Sequence, residues 1–160
     1  LLANVNRIGA WNVVVSEYRG QDFPIGDGFD RVLVDATCSA EGTLRKEPSL
    51  RSGASPAAVR RLAGIQQMLI LRAFDVLHVG GRLVYSTCTF APEENEGIVA
   101  YLLERRRARV LPISAPFPHE PGVTAWGGIA YPSDVSDCVR IYPHHLDSGG
   151  GFVARIERLA

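Results

Sequence analysis

Short apolar runs alternate with longer amphipathic or polar stretches along this chain of 160 residues. The run RVLV, residues 31–34, is almost continuously apolar, which is typical of a strand buried on both faces of a parallel sheet. RLVYS, residues 82–86, has the same character, and the β-branched run at 13–15 predicts a further strand. Toward the C-terminus, three more strands are predicted, from the segments ARVLPI, CVRIYP and GFVARIERL.

The strongest helical pattern covers residues 57–77. Ser55 is placed to cap its first turn, Pro56 to begin it and Gly80-Gly81 to end it. One apolar face is predicted from residues that recur at spacings of three and four: Leu62, Ile65, Leu69, Ala73 and Val76.

Two further helices complete an alternation of strands and helices. One is predicted to begin with the acidic residues after Pro92 and to end in the basic run 105–107, and a short N-terminal one to end at Gly9. Strands joined through helices run parallel in βαβ units, so we expect RVLV and RLVYS to be parallel neighbours and the last two strands to form an antiparallel edge. The fold class is α/β and Rossmann-like. It is incomplete, because no strand is followed by a glycine-rich loop that enters a helix.

Composition narrows the class of protein. Hydrophobic residues make up 46% of the chain and charged residues 21%, as in a soluble globular domain. Seventeen basic and seventeen acidic residues give a net charge of zero, which is unlike a dedicated nucleic-acid-binding module unless the basic residues are clustered. No apolar run is long enough to cross a bilayer, so no membrane partner is expected. Three cysteines without a C-x-x-C pair predict neither a disulfide framework nor a zinc site, and favour a reducing, cytoplasmic setting.

Two of the three cysteines follow predicted strands. Cys38 comes just after RVLV and Asp35, and Cys88 just after RLVYS, whereas Cys138 begins an apolar strand and is predicted to be a small buried hydrophobe. Ligands in open α/β sheets bind at the carboxyl ends of the strands, and neighbouring strands lie about 4.8 Å apart. We therefore expect Cys38 and Cys88 to face one small cleft. A structural disulfide between them stays open, and Asp35 is either a ligand of the cleft or only a turn-former.

Two segments give the chain its resemblance to a known family. DATCSAEGTLRK, residues 35–46, and YSTCTFAPEENE, residues 85–96, are similar to the paired signature motifs of the Nop/Sun family of RNA cytosine-5 methyltransferases. The tail RIYPHHLDSGGGFVARI resembles the family's closing segment, most of all in its bacterial 16S ribosomal RNA members. The resemblance runs from Leu1 to Leu159, and it identifies residues 1–160 as the C-terminal portion of a methyltransferase catalytic domain.

The resemblance implies a function and a set of site residues. It implies transfer of a methyl group from S-adenosylmethionine to carbon 5 of a cytosine in RNA, with ribosomal RNA favoured over transfer RNA. Cys88 matches the family's nucleophile, Cys38 the cysteine that assists release of the methylated product, and Asp35 the aspartate that helps to seat the cofactor and the target base. Arg19 stands where the family has a cofactor-binding aspartate. Thr37 and Ala40 also depart from the family, which has proline and glycine at these positions.

Contacts with RNA and with metals are less specific in the sequence. Arg45 and Lys46, in the long loop after Cys38, are either phosphate contacts or solvated loop residues. His144 and His145 have no partners at metal-ligand spacing, so no metal site is expected.

The family's glycine-rich loop and RNA-binding extension would precede Leu1. We therefore expect residues 1–160 alone neither to bind the cofactor well nor to turn over, and the N-terminal part of the domain to be supplied in the same or another chain. A non-catalytic RNA-binding or assembly module is the alternative function, favoured by Arg19 and Thr37 and opposed by the two cysteines. A nicotinamide-dependent oxidoreductase lacks its fingerprint loop.

Overall fold

The computed structural model describes the backbone of residues 1–160 and every side chain except those of residues 51 and 52. The helices are α1 (Leu2–Ile8), α2 (Pro56–Asp75), α3 (Glu96–Leu103) and α4 (Pro143–Leu146). The strands are β1 (Phe29–Asp35), β2 (Leu77–Thr87), β3 (Ala108–Val110), β4 (Glu120–Pro121), β5 (Ala125–Trp126), β6 (Ile129–Ala130), β7 (Val139–Ile141) and β8 (Gly151–Arg158). Short 3-10 helices cover Gly20–Asp22, Glu41–Thr43, Pro48–Ser52, Pro92–Glu94 and Ser133–Asp137.

Six of these strands form one sheet in the order β1-β2-β8-β7-β4, with β3 paired to β8, while β5 and β6 form a separate hairpin. β1 and β2 are parallel neighbours, as predicted, and their register places Asp35 opposite Ser86. β8 runs antiparallel to both β2 and β7. The predicted antiparallel region is therefore confirmed, but β8 lies inside the sheet and only the strands beyond it form the edge.

The long helix is confirmed with a shorter C-terminal end. α2 begins at Pro56, and the side chain of Ser55 accepts a hydrogen bond of 3.2 Å from the backbone N–H of Ala58. It ends at Asp75, and Gly80-Gly81, which were predicted to end it, lie within β2, where Gly80 takes a φ of +79°. The turn into the strand is thus made before the glycine pair.

The buried face of α2 is rotated from the predicted one. Its buried residues are Val59, Ala63, Gln66, Ile70, Ala73 and Phe74. Of the predicted face, Ile65 is exposed and Leu69 only half-buried. Both side chains line an open cavity between α2 and β1, and Leu69 also packs against the edge of the core.

The core lies between the sheet and the helices α2 and α3. Its largest fully buried apolar side chains are Ile70, Phe74, Leu83, Tyr85, Ile98, Leu102, Phe152 and Ile156. Most come from β2, β8 and α3. β2, which ends one residue before Cys88, is also hydrogen-bonded to β1 on one edge and to β8 on the other, so it gives the Cys88 loop a rigid base.

Two expectations for the N-terminal part are wrong. Residues 13–15 form no strand, and Val14 is 94% exposed, because no described strand lies beside this extended run. β1 was predicted to be buried on both faces, yet Leu33 is 70% exposed. Leu33 alternates with Val32 and Val34, which face the core, so its side chain points to the opposite face of the sheet. The outer edge of β1 also has no strand partner among the described residues. The short helix that ends at Gly9 is confirmed, with Gly9 at a φ of +66°.

Candidate active site

The two cysteine loops leave the sheet side by side. The pairing of β1 with β2 continues one residue further through a hydrogen bond of 2.9 Å from the N–H of Ala36 to the carbonyl of Ser86. The Sγ atoms of Cys38 and Cys88 lie 3.3 Å apart, and both residues are half-buried. The expected approach of the two thiols is confirmed, whereas the cleft that they were expected to face stays a prediction. Both are free thiols, since a disulfide bond would bring the sulfur atoms to about 2.05 Å.

The surroundings of Cys38 disfavour its thiolate. Burial, followed by the hydrogen bond with the side chain of Cys88, raises the pKa of the Cys38 thiol to about 12. Backbone N–H groups oppose this rise, including that of Cys88, which donates to the Cys38 sulfur at 3.3 Å. Cys38 is therefore a neutral thiol at neutral pH that holds its proton tightly.

Side chains from two other elements hold the Cys38 loop on both sides of the cysteine. The amide of Gln66, in α2, donates to the carbonyl of Thr37 at 2.9 Å. The Oε2 of Glu94 accepts from the N–H of Ser39 at 3.1 Å and from the Gln66 amide at 2.8 Å. Gln66 and Glu94 are both fully buried.

The Cys88 loop is held in the same way by the next residue along the chain. The Oδ1 of Asn95 accepts from the hydroxyl of Thr87 at 2.6 Å, and its Nδ2 donates to the carbonyl of Thr89 at 3.1 Å. The hydroxyls of Thr89 and Ser39 join the two loops at 2.6 Å. The sequence predicts no role for Gln66, Glu94 or Asn95. The acid–acid–amide run 93–95 within the second motif was the available signal.

The loop after Cys38 is also hydrogen-bonded to the backbone around Cys88. The N–H of Gly42 donates to the carbonyl of Cys88 at 2.8 Å, and the N–H of Gly150 donates to the carbonyl of Gly42 at 2.9 Å. A Cβ atom on Gly42 would lie 2.1 Å from the Gly150 carbonyl oxygen, so only glycine permits this approach. The glycine run before β8 thus closes the cleft from the far side.

Ala40, one of the departures from the family pattern, has a backbone conformation that favours the glycine found in the family. It has a φ of 61° and a ψ of 22°, the left-handed region, which is strained for a residue with a Cβ atom. Ala40→Gly is expected to raise the free energy of unfolding by about 1 kcal/mol, measured by urea denaturation. Ala57→Gly, in the first turn of α2, is the matched control and should lower it by about 0.5–1 kcal/mol. Equal changes in the two variants would contradict strain at Ala40.

Asp35 lies at the carboxyl end of β1, beside the cleft. Its carboxylate is exposed and accepts from the hydroxyl of Ser86 at the long distance of 3.5 Å. It is at the mouth of an open cavity of about 550 Å³, whose walls are largely apolar side chains of α2 and β1. An apolar cavity of this size with a carboxylate at its mouth fits a cationic cofactor with an aromatic part. Arg19 is exposed and does not line the cavity, although the next residue, Gly20, does.

Arg45 and Lys46 are exposed on the loop that carries Gly42. With Asp147 and Gly149 they line a cavity of about 340 Å³. The guanidinium of Arg45 lies 2.5 Å from the carboxylate of Asp147, so this cation is shared with an acidic side chain. Arg45 and Lys46 thus lie at the edge of the sheet where the two cysteine loops lie, but neither side chain contacts a thiol.

Cys138 lies apart from the cleft, as expected. It is buried in the core, and burial raises the pKa of its thiol well above the usual range. Among the residues with described side chains, no cluster of three His, Cys, Asp or Glu side chains could hold a metal ion. Over the described part of the chain, no helix combines the length and the hydropathy needed to cross a membrane.

Comparison with known proteins places this site in a family. A family model described as "16S rRNA methyltransferase RsmB/F" matches residues 1–157. The chain is 34% identical over 165 residues to the 28S rRNA (cytosine(4447)-C(5))-methyltransferase of Homo sapiens, covering 100% of this chain and 20% of that protein. It is 36% identical over 162 residues to Ribosomal RNA small subunit methyltransferase F of Erwinia tasmaniensis, covering 100% of this chain and 32% of that protein.

Two solved structures share the fold. A methyltransferase homolog protein from Pyrococcus horikoshii has a TM-score of 0.83 and 30% identity, over 99% of this chain and 48% of that one. NSun6 from Pyrococcus horikoshii with SFG has a TM-score of 0.82 and 30% identity, over 99% of this chain and 38% of that one. These likenesses confirm the Rossmann-like methyltransferase fold. The chain spans between a fifth and a third of the length of the two curated relatives described above.

Proposed function

The chain belongs to the RsmB/F family of 16S rRNA methyltransferases, and we propose that it forms the cysteine-bearing part of an enzyme that methylates carbon 5 of a cytosine in RNA. The observation that carries this proposal is the pair of free thiols 3.3 Å apart at the carboxyl ends of two parallel strands. A binding module has no use for two half-buried thiols held this closely. Covalent catalysis on a pyrimidine ring uses one to attack and one to assist release.

The chemistry follows from the state of the two thiols. The thiolate of Cys88 adds to carbon 6 of the cytosine, and the electron pair of the 5,6 double bond makes carbon 5 nucleophilic. S-adenosylmethionine, when bound, supplies the methyl group that carbon 5 receives. Breakdown of the adduct then requires loss of the carbon-5 proton and cleavage of the bond between Cys88 Sγ and carbon 6.

Cys38 is placed to take part in the proton transfers of this second half of the reaction. Its thiol is neutral and lies 3.3 Å from the sulfur that leaves carbon 6. In one concerted step, its sulfur takes the proton from carbon 5 while its own proton passes to the departing sulfur of Cys88. The two transfers are coupled because the raised pKa makes Cys38 a weak acid when it acts alone. Both cysteines end the step as thiols, and Cys88 releases one proton to solvent before the next turnover.

Cofactor binding is proposed for the Asp35 end of the cavity between α2 and β1. Asp35 would face the cationic part of S-adenosylmethionine, and the apolar side chains of α2, including Ile65 and Leu69, its aromatic part. Arg19, one residue outside the cavity wall, would alter the polarity of that corner. No described strand is followed by a glycine-rich loop. We propose that further parallel strands, which carry this loop in the same or another chain, pair with the free outer edge of β1.

The substrate proposed is ribosomal RNA. Curated relatives that match the whole of this chain are named as ribosomal RNA cytosine-5 or small-subunit RNA methyltransferases, which supports this class over transfer RNA. Arg45 and Lys46, on the exposed loop beside the cysteine edge, are proposed to contact phosphates. The three free cysteines support a reducing, cytoplasmic location.

The Cys38→Ala variant of the complete protein tests the proposal. It should form the adduct with unmodified ribosomal RNA and fail to resolve it, because the thiol beside the leaving sulfur has been removed. Denaturing electrophoresis should therefore show a covalent RNA–protein band in Cys38→Ala that is absent in wild type. Cys138→Ala, a change at the buried cysteine, is the matched control and should show no band.

The proposal would be contradicted if the complete protein bound RNA, gave no covalent band in Cys38→Ala and transferred no methyl group from labelled S-adenosylmethionine. This result would favour the non-catalytic RNA-binding module instead.

A further inference from the structure

We infer that the neighbouring residues Glu94 and Asn95 position the two thiols separately, so that Glu94 controls release of the methylated base and Asn95 controls formation of the adduct. The inference rests on the proposed function, because it assigns the two residues to the two halves of that reaction. Both are positioning residues, since each acts through a cysteine loop and touches neither sulfur atom. They lie at the end of one 3-10 helix, Pro92–Glu94, and at the residue that follows it.

Glu94 acts on the Cys38 side alone. Its Oε2 holds the N–H of Ser39, directly after Cys38, and the amide of Gln66, which in turn holds the carbonyl directly before Cys38. The carboxylate is fully buried, and its second oxygen, Oε1, has no hydrogen-bond partner among the described residues. A buried carboxylate with one unpaired oxygen lowers the stability of the folded protein. We expect such a destabilising residue where the function requires it.

Asn95 acts on the Cys88 side. Its Oδ1 accepts from the Thr87 hydroxyl before the cysteine, and its Nδ2 donates to the Thr89 carbonyl after it. A primary amide supplies both an acceptor and a donor, so neither aspartate nor leucine can make both bonds. Asn95 is fully buried and has no solvent to replace either partner.

The two sets of contacts meet at Thr89. Its hydroxyl is joined to that of Ser39 at 2.6 Å and donates to the carboxylate of Glu41 at 3.3 Å. Cys88 is held before and after by Asn95, whereas Cys38 is held before by Gln66 and after by Glu94. Loss of one holder should displace mainly one thiol, and a displacement of about 1 Å at a reacting centre costs about 100-fold in rate.

The expected results in the complete protein differ between the two residues. Glu94→Ala should form the adduct with ribosomal RNA at a rate within about threefold of the wild-type rate. Release of the methylated base should be about 100-fold slower. The variant should therefore accumulate the same covalent band as Cys38→Ala. Asn95→Ala should slow adduct formation itself about 100-fold and accumulate nothing. Glu94→Gln keeps an acceptor oxygen for Ser39 and Gln66 and should restore release to within about tenfold of wild type.

The matched control removes another buried hydrogen bond at the same helix. The hydroxyl of Tyr85 donates to the carbonyl of Glu94 at 2.8 Å and touches neither cysteine loop. Tyr85→Phe should unfold at a lower urea concentration than wild type while both steps stay within about twofold of the wild-type rates.

A second readout measures the position of the thiols without any turnover. Diamide, an azo oxidant, takes two electrons and two protons from Cys38 and Cys88 as their disulfide forms and is itself reduced to the hydrazine. In a Cys138→Ala background, the wild-type pair at 3.3 Å should cross-link rapidly. Glu94→Ala and Asn95→Ala should each cross-link at least about tenfold more slowly, and Glu94→Gln and Tyr85→Phe at close to the wild-type rate.

Several outcomes would overturn the inference. One is cross-linking at the wild-type rate in both alanine variants. Another is an identical kinetic defect in Glu94→Ala and Asn95→Ala, or a defect in Tyr85→Phe as large as theirs, which would indicate general destabilisation. If Cys38→Ala accumulates adduct and Glu94→Ala does not, the inference fails while the proposed function stands. If neither forms an adduct and wild type transfers no methyl group, the proposed function fails, and the division of steps fails with it.

Discussion

Replacing Cys88 with serine is expected to lower methyl transfer to ribosomal RNA by at least about 10,000-fold, a loss of about 5 kcal/mol of transition-state stabilisation. The reason is chemical rather than structural. A serine hydroxyl occupies nearly the same space but is far less acidic than a thiol, so it supplies almost no anion to attack carbon 6. The loop should keep its shape, because its contacts with Asn95 and Gly42 use Thr87, Thr89 and backbone atoms.

Two measurements separate this loss from misfolding. Transfer of label from S-adenosylmethionine should vanish in Cys88→Ser, and so should the covalent band with RNA that carries 5-azacytidine. The free energy of unfolding should stay within about 1 kcal/mol of wild type. Cys138→Ser places the same change in the core and should retain activity in the folded fraction. Residual transfer by Cys88→Ser above about 1% of wild type would contradict the assigned nucleophile.

The largest expected effect on stability comes from a buried ion pair behind the active-site loop. The guanidinium of Arg140, in β7, meets the carboxylate of Glu96, in α3, through two contacts of 2.6 Å, with the two side chains 4% and 0% exposed. A third contact from Arg140, at 3.1 Å, reaches the carbonyl of Phe90, two residues after Cys88. Arg140→Met should cost about 3–5 kcal/mol in the free energy of unfolding, because it leaves a buried carboxylate without its cation.

A double variant tests whether the loss of stability in Arg140→Met comes from the unpaired carboxylate of Glu96. Arg140→Met combined with Glu96→Leu removes both charges and should recover most of the loss in urea denaturation. Arg105→Ala breaks an exposed pair with Glu104 and should change stability by about 0–1 kcal/mol. If Arg140→Met costs no more than Arg105→Ala, the buried pair does not anchor the loop after Cys88.

The position of the two thiols could be predicted because it depends on simple rules. Two short apolar runs separated by one clear helix must be parallel strands, and the carboxyl ends of parallel neighbours meet at one edge of the sheet. That topology and the parallel register, with Asp35 opposite Ser86, bring both cysteines to one edge of the sheet, and the contacts of the two loops set the sulfur–sulfur distance of 3.3 Å.

The errors concern surfaces that periodicity alone cannot assign. The apolar side chains Ile65 and Leu69 of α2 line a cavity, and the polar Gln66 borders the same cavity but is fully buried. A buried glutamine breaks the apolar pattern, so the pattern does not predict its burial. Its burial makes sense only with the carboxylate of Glu94, which lies 28 residues further along the chain. Likewise, the run 13–15 has strand propensity but no described strand beside it.

Peptide mapping of a trapped adduct distinguishes bonding of the pyrimidine to Cys88 from bonding to Cys38. The complete protein would be trapped on ribosomal RNA that contains 5-azacytidine, digested with nuclease and trypsin, and analysed by mass spectrometry. We expect a nucleotide mass on the peptide of residues 83–105, which contains Cys88, and an unmodified peptide of residues 32–45, which contains Cys38. The mass on residues 32–45, or on neither peptide while methyl transfer proceeds, would contradict this expectation.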